Sequence, residues 1–391
     1  MLDVHLGLTD SEYLSLASSI VDEIEDGSVF FSTKEEANNE IQRIDPSKLD
    51  LGNVLGNGGF CNVHELLNGN EFLEIRSTNS MTRDSFTEGS TIDGGLIAKD
   101  SKLQGQQQKF SPLVVKKIRN SFSGKIQTRA LIDLSCEIKF LSALSHRNII
   151  KLRGISSEDG EGTSITNNST FIVLDRIYLT LDEQMKFWKS SLKRHTALFK
   201  ITFFGVNPMK VGELKLDRLT AATDLSSALE YLHRHKIIYR DLKPENIGFD
   251  ERGILKLFDF GLCKELRSKD LANDTVGEEL YNLTGFVGCL PYMAPEVYLG
   301  DPYNTRADVY SFGLLLCEML TLKSFSKRRN IISEKQIHVG SRPEVPKRAD
   351  ISMALSNLIT KCWSNNSFER PDMRYVHSVL NSELERLVDE I

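Results

Sequence analysis

Residues 237–249 read IIYRDLKPENIGF, and residues 257–262 read LFDFGL. Ahead of the first string, Ala222, Leu225, Leu229 and Leu232 recur on one face of a helix that runs out near His233. NIGF, the turn residues DERG and ILKLF then make a short hairpin. Asp241 and Asp259 lie 18 residues apart with that hairpin between them. The hairpin returns the chain, so both carboxylates can face one cleft. With the amide oxygen of Asn246 they make a hard-oxygen set, which suits Mg²⁺ carrying phosphates. An isolated Asp-x-Lys such as Asp241 and Lys243 is usually a surface pair; the whole ordered string is far more specific.

Upstream, LGNVLGNGGFCNVHELL (51–67) reads as two strands around a glycine-rich turn. Residues 76–111 are polar and aperiodic, a long surface loop interrupting a sheet. PLVVKKI (112–118), NIIKLRG (148–154) and STFIVLDRI (169–177) read as strands. Between them Leu134, Ile138, Leu141 and Leu144 mark a helix over 129–145. After Leu181 the chain turns mostly helical, with apolar helices at 308–322, 351–363 and 374–388. Residues 183–215 look irregular and basic; a solvated face explains them better than a nucleic-acid surface. The pattern is α+β in two lobes: a small β-rich lobe with one main helix, and a large helical lobe.

Composition agrees with a globular chain. Of 391 residues, 40% are apolar and 26% charged, so a disordered or collagen-like chain is excluded. No apolar run reaches the roughly 18 residues of a membrane span, and MLDVHLGLTD lacks the basic and apolar regions of a secretory signal. The six cysteines form no CxxC pair, which points to a cytoplasmic chain with reduced thiols and no zinc module. The net charge of −6 is uneven: residues 1–45 carry eleven acids against Lys34 and Arg43. Residues 1–47 therefore read as an acidic extension. They hold a candidate helix over Ser11–Ile24, either a solvated appendage or a regulatory segment. The remainder has no general attraction for nucleic acid.

At this point the chain resembles the eukaryotic protein kinases, over roughly residues 48–389. Their ordered signatures are a glycine-rich loop, a strand lysine, a helix glutamate, the catalytic loop, DFG and APE. The resemblance implies a small lobe over 48–174, a hinge at 175–178 and a large lobe over 179–389. DVYSFG (308–313) with the CW…RP string (362–371) is similar to the tyrosine kinase-like branch, whose members are mostly Ser/Thr kinases. The implied activity is transfer of the γ-phosphate of ATP to Ser/Thr hydroxyls of protein substrates, in intracellular signalling, with ATP and Mg²⁺ as cofactors. The alternative is a pseudokinase scaffold that binds nucleotide or partners without efficient transfer.

Carried onto this chain, the glycine-rich loop is LGNGGFCNV: Leu55, Gly56, Asn57, Gly58, Gly59, Phe60, Cys61, Asn62 and Val63. Cys61 stands where the family has its third glycine, adding a side chain over the phosphates; Val63 would pack on adenine. A Walker-type loop is not supported, since no Lys-Ser/Thr follows. Lys116 is the phosphate-binding lysine by strand register, with Lys117 on the opposite face. Glu137 sits one turn from Leu134 and from Leu141, beside the buried face, where an acid needs a partner. Lys116 is that partner, and Asp133 is the alternative acid. Leu174 would guard the back pocket, and Asp182 is a candidate for the ribose.

In the catalytic loop the resemblance makes Asp241 the acceptor of the substrate proton. Lys243 faces the γ-phosphate, and Asn246 and Asp259 are the metal ligands. Tyr239 replaces the usual histidine and would pack on Phe260. Glu296 of MAPEV would pair with Arg370, and Asp308 would brace the catalytic loop. Arg240, with Lys264 and Arg267, would receive a phosphate placed by an upstream kinase on Thr275, Tyr281 or Thr284. Cys289 stands where Ser/Thr kinases carry threonine. With Cys61 it suggests reduced activity or redox sensitivity, against the simpler reading of tolerated drift.

Overall fold

In the computed structural model the chain is described over residues 41–69, 111–156, 170–197, 208–272, 278–324, 342 and 351–390. The candidate helix Ser11–Ile24 and almost all of the polar stretch 76–111 lie outside these residues.

Among the described residues the small lobe is a six-stranded sheet in the order β1-β5-β6-β4-β3-β2. The strands are β1 (Gln42–Ile44), β2 (Leu51–Asn57), β3 (Cys61–Leu66), β4 (Leu113–Ile118), β5 (Leu152–Ser156) and β6 (Phe171–Asp175). Period-two alternation sorts β4 and β6 onto two faces. Leu113, Val115, Phe171 and Val173 bury one face with Ile44 and Leu66. Val114, Ile118, Ile172 and Leu174 face the main core with helix α1 (Gly124–Ala143). That helix begins five residues before the expected 129. Its first turn, Gly-Lys-Ile-Gln, lies ahead of the apolar stripe that marks the helix in sequence, and Ser123 stands at the N-cap without a side-chain cap.

One boundary moves. Gln42–Ile44, assigned from sequence to the acidic extension, pair in parallel with Gly154–Ser156. Gly154 makes this approach feasible, because a Cβ there would stand 2.4 Å from the Ile44 side chain. The sheet thus begins before the expected opening at residue 48.

Asp175 ends β6, and the Tyr178 N–H donates to the Phe249 carbonyl at 2.9 Å, passing the chain to the large lobe. There β7 (Leu179–Thr180) pairs with β9 (Ile247–Phe249), which pairs with β10 (Leu255–Leu257). Strand β8 (Ile237–Ile238) pairs with β11 (Lys264–Glu265). The helices are α2 (Leu181–Ala197), α3 (Pro208–Arg234), α4 (Pro295–Leu299), α5 (Arg306–Thr321), α6 (Met353–Cys362) and α7 (Met373–Glu390).

Here the irregular reading of 183–215 is corrected. The stretch is helical at both ends: Leu181, Met185 and Trp188 are buried at helical spacing. Four cations between 186 and 194 diluted that apolar stripe in the sequence. Deep in this lobe Ala222, Leu225, Leu229 and Leu232 are all 0% exposed.

Asp217 on α3 has its pKa raised to about 6, by burial first and then by the Glu213 charge. The folded carboxyl thus holds its proton more tightly than the unfolded one. Stability is lost as pH rises from the ordinary 3.8 through about 6. Asp217→Asn is expected to raise Tm near pH 7 and leave it unchanged near pH 4. Equal Tm shifts at both values would refute this.

Candidate active site

The cleft between the lobes is floored by the loop between β8 and a single 3-10 turn, Pro244–Asn246. Arg240 has φ 68° and Asp259 φ 66°, both left-handed and non-glycine. Such conformations cost about 1–3 kcal/mol each and persist only where surroundings enforce them. Asp308, at the start of α5, enforces the first. Its carboxylate accepts from the Tyr239 N–H at 2.8 Å, the Arg240 N–H at 2.9 Å and His233 Nε2 at 2.9 Å. Tyr239 packs edge-on to Phe260 with ring centroids 5.4 Å apart, and its hydroxyl donates to the Phe258 carbonyl. Both aromatic residues are 0% exposed, so the packing expected for Tyr239 is present.

Three charges converge from three elements. Lys116 Nζ on β4 lies 2.6 Å from Glu137 Oε2 on α1 and 2.9 Å from Asp259 Oδ1 after β10. Burial discourages the Lys116 charge, but the two carboxylates outweigh it and push its pKa up. The same lysine holds Asp259 below the ordinary carboxylate range, so that carboxylate is a firm anion. Burial raises Glu137, with Lys116 pulling against it. The alternative acid, Asp133, pairs instead with Arg129 at 2.9 Å. Asp182 pairs with Lys186 at 2.6 Å.

Around Asp241, Lys243 Nζ reaches Oδ2 at 2.5 Å and Asn246 Nδ2 donates to the same oxygen at 2.8 Å. The other oxygen, Oδ1, is buried without a hydrogen-bond partner among the described residues. Burial lifts the Asp241 pKa, with Lys243 opposing. Donation by its nitrogen leaves the Asn246 carbonyl oxygen as that side chain's acceptor. An orphaned acceptor beside a held lysine, an amide oxygen and an ionised carboxylate fits phosphate-bound Mg²⁺ and a hydroxyl substrate. No group of three or more His, Cys, Asp or Glu among the described residues makes a metal cage, and such a site needs none.

The roof is β2 and β3. Leu55, Gly56 and Asn57 lie on β2, with Gly58, Gly59 and Phe60 in the turn and Cys61 and Val63 on β3. Val63 registers with Lys116, so the two share a face. Cys61 is 7% exposed on that face, and burial pushes its thiol up to about 11. Burial likewise lifts Cys289 to about 11. Neither thiol thus carries the lowered pKa that marks a reactive cysteine. All six cysteines are free thiols.

The activation segment qualifies a second expectation. Tyr281 is 4% exposed, pairs through its backbone with Tyr303 and donates its hydroxyl to Glu279 at 2.6 Å. Its hydroxyl is therefore engaged with Glu279 in this arrangement. Thr284 is exposed, and Thr275 lies outside the described residues. Arg240 Nε donates to the Leu262 carbonyl at 2.7 Å, and Arg267 meets Glu265 at 3.3 Å. Sequence reading missed two pairs that tie the hinge to the sheet: Arg153 with Asp175 at 2.6 Å and Arg176 with Glu65 at 2.6 Å. Their spacing in sequence gave no signal for either.

A lysine–glutamate pair between sheet and helix, an aspartate at its tip and an Asp-Lys-Asn loop below make up the polar set of the two-lobed kinase fold. The sequence pattern of the Protein kinase domain matches residues 101–383, and the chain belongs to the protein kinase family. RGS domain-containing serine/threonine-protein kinase A of Dictyostelium discoideum is 36% identical over 166 residues, 42% of this chain and 14% of that protein. Serine/threonine-protein kinase STY17 of Arabidopsis thaliana is 26% identical over 273 residues, 68% of this chain and 40% of that protein. Serine/threonine/tyrosine-protein kinase HT1, also from Arabidopsis thaliana, is 34% identical over 169 residues, 41% and 39% of the two chains. The chain spans less than half the length of each. These relatives agree with the tyrosine kinase-like branch expected from DVYSFG and CW…RP. The family match begins downstream of β2 and β3, which residues 67–112 separate from β4; the sheet nonetheless places all three side by side.

Proposed function

We propose that this chain is a serine/threonine protein kinase that uses ATP and Mg²⁺. The observation that carries the reading is the joined state of the cleft, with Lys116–Glu137 paired and Asp259 beside them. That ion pair and that aspartate must both be in place for phosphoryl transfer. Asp241 Oδ1 accepts the proton of the substrate hydroxyl and orients its oxygen, and its raised pKa suits that task. Lys243 offsets negative charge developing next to Asp241. Lys116 holds phosphate oxygens as a point charge. The Asn246 carbonyl oxygen and the Asp259 carboxylate would hold Mg²⁺, which when bound would neutralise phosphate charge. Lys243 supports Ser/Thr over Tyr as acceptor. The complete set of polar groups favours this reading over a nucleotide-binding scaffold. The small-lobe boundary near residue 42, cytoplasmic location and phosphorylation at Thr284 belong to the same proposal. No helix among the described residues is long and apolar enough to cross a membrane.

The test is transfer of labelled γ-phosphate from ATP to a generic basic protein. Expected are transfer that stops on chelation, label on serine and threonine after acid hydrolysis, and loss in Asp259→Ala by about 10²-fold or more. A thermal shift with Mg-ATP but no transfer would instead establish the scaffold.

A further inference from the structure

The glycine-rich turn is held from outside the cleft by one residue that the catalytic constellation does not use. Arg119 follows β4. Its backbone N–H donates to the Phe60 carbonyl at 3.1 Å, and its Nε donates to Asn62 Oδ1 at 3.0 Å. Its Nη2 donates to the Gly58 carbonyl. The guanidinium also lies 5.8 Å from the centroid of the Phe122 ring, which meets Phe60 edge-on at 6.1 Å. One cation and one aromatic residue thus fasten the tip of the turn at residues 58, 60 and 62.

The faces give this clamp a direction. Side chains alternate along β4, so Arg119 shares the face of Lys117 and lies opposite Lys116. Asn62 registers with Lys117, and Val63 with Lys116, which agrees. Lys116 marks the cleft face through Glu137 and Asp259. In a planar trans peptide the C=O and the following N–H point in opposite directions. Drawing the Gly58 carbonyl toward Arg119 therefore turns the Gly59 N–H toward the cleft. A Cβ on Gly59 would meet nothing within 4 Å, so the space beside this peptide is open.

We propose that Arg119 is a positioning residue for the nucleotide phosphates: it fixes the orientation of the Gly58–Gly59 peptide, so the turn presents N–H donors to the phosphate chain. This rests on the ATP reading above. Arg119 acts on the phosphate end of the ligand and leaves the base end, at Val63 and the hinge, untouched. Lysine lacks the fork that reaches Gly58 and Asn62 together, so it replaces arginine only in part.

Titration calorimetry on the full chain compares adenosine with Mg-ADP, for the parent, Arg119→Met, Arg119→Lys and Asn62→Leu. Arg119→Met is expected to weaken Mg-ADP about tenfold, the scale of one charge-assisted contact. Adenosine affinity and Tm should stay at the parent values. Arg119→Lys should fall between, and Asn62→Leu should weaken Mg-ADP by a smaller factor in the same selective way. In turnover, KM for ATP rises more than kcat falls. Equal weakening of adenosine and Mg-ADP would show a merely structural role, and unchanged Mg-ADP binding no role; either overturns the proposal while leaving the kinase reading intact. A parent that binds neither ligand overturns the ATP reading, and this proposal with it.

Discussion

Asp241→Asn should lower kcat by about 10³-fold while Mg-ATP still shifts the melting temperature. The substitution keeps shape: the amide oxygen it leaves at position 241 can still accept from Lys243, which now reaches Asp241 at 2.5 Å. It removes the ability to take a proton at Oδ1, the buried oxygen without a partner among the described residues. The pH profile adds a second readout. Burial raises the Asp241 pKa above its ordinary 3.8. A base works above its pKa, so parent turnover should fall on acidification, with a midpoint higher than that of an exposed aspartate. The residual rate of the variant should lack that limb. A variant within about tenfold of the parent would remove Asp241 from the chemistry and send the search for the proton acceptor elsewhere.

Arg370→Ala should be the most damaging change away from the cleft. Arg370 Nη1 and Nη2 grip Glu296 at 2.5 and 2.8 Å, Nε donates to the Ser364 carbonyl at 2.8 Å, and Nη1 also reaches the Arg306 carbonyl at 3.0 Å. The guanidinium lies 5.0 Å from the Tyr310 ring centroid. The arginine side chain is 0% exposed and that of Glu296 13%. Removing the cation strands a carboxylate and two carbonyls. Breaking such a pair costs about 3–5 kcal/mol, a large share of the roughly 5–15 kcal/mol that holds a domain together. Tm should fall on the order of 10 °C. The double variant Glu296→Gln with Arg370→Met should lose less than the two single changes summed, because no charge is left alone. A single variant that melts within about 2 °C of the parent would refute the argument.

The legible parts of this chain are those whose chemistry is local. IIYRDLKPENIGF and LFDFGL are hairpin and loop strings, so their residues meet with little dependence on the rest. Lys116 could be separated from Lys117 by strand alternation, and Glu137 could be placed beside the buried stripe of α1 by helical spacing. The pair those two rules predict is the pair that forms. What stayed hidden depends on distant partners. Strand β1 is three residues long, sits in an acidic segment and finds its neighbour about 110 residues later. The burial of Tyr281 follows from its backbone pairing with Tyr303. The start of α2 was masked by lysines on its solvent side. The role of Arg119 required knowing which carbonyls its strand end meets.

The docking of β1 has a consequence for handling the protein. Among the described residues, strand β1 is the outermost member of the sheet beside β5. A chain begun at residue 48 would lack it and uncover the peptide groups of Gly154–Ser156. It would also remove Ile44, now 2% exposed, from the outer apolar face of the sheet. An unpaired edge next to an opened greasy surface invites a strand from a neighbouring molecule. Shortened forms should therefore keep Gln42–Ile44 if they are to remain dispersed at high concentration.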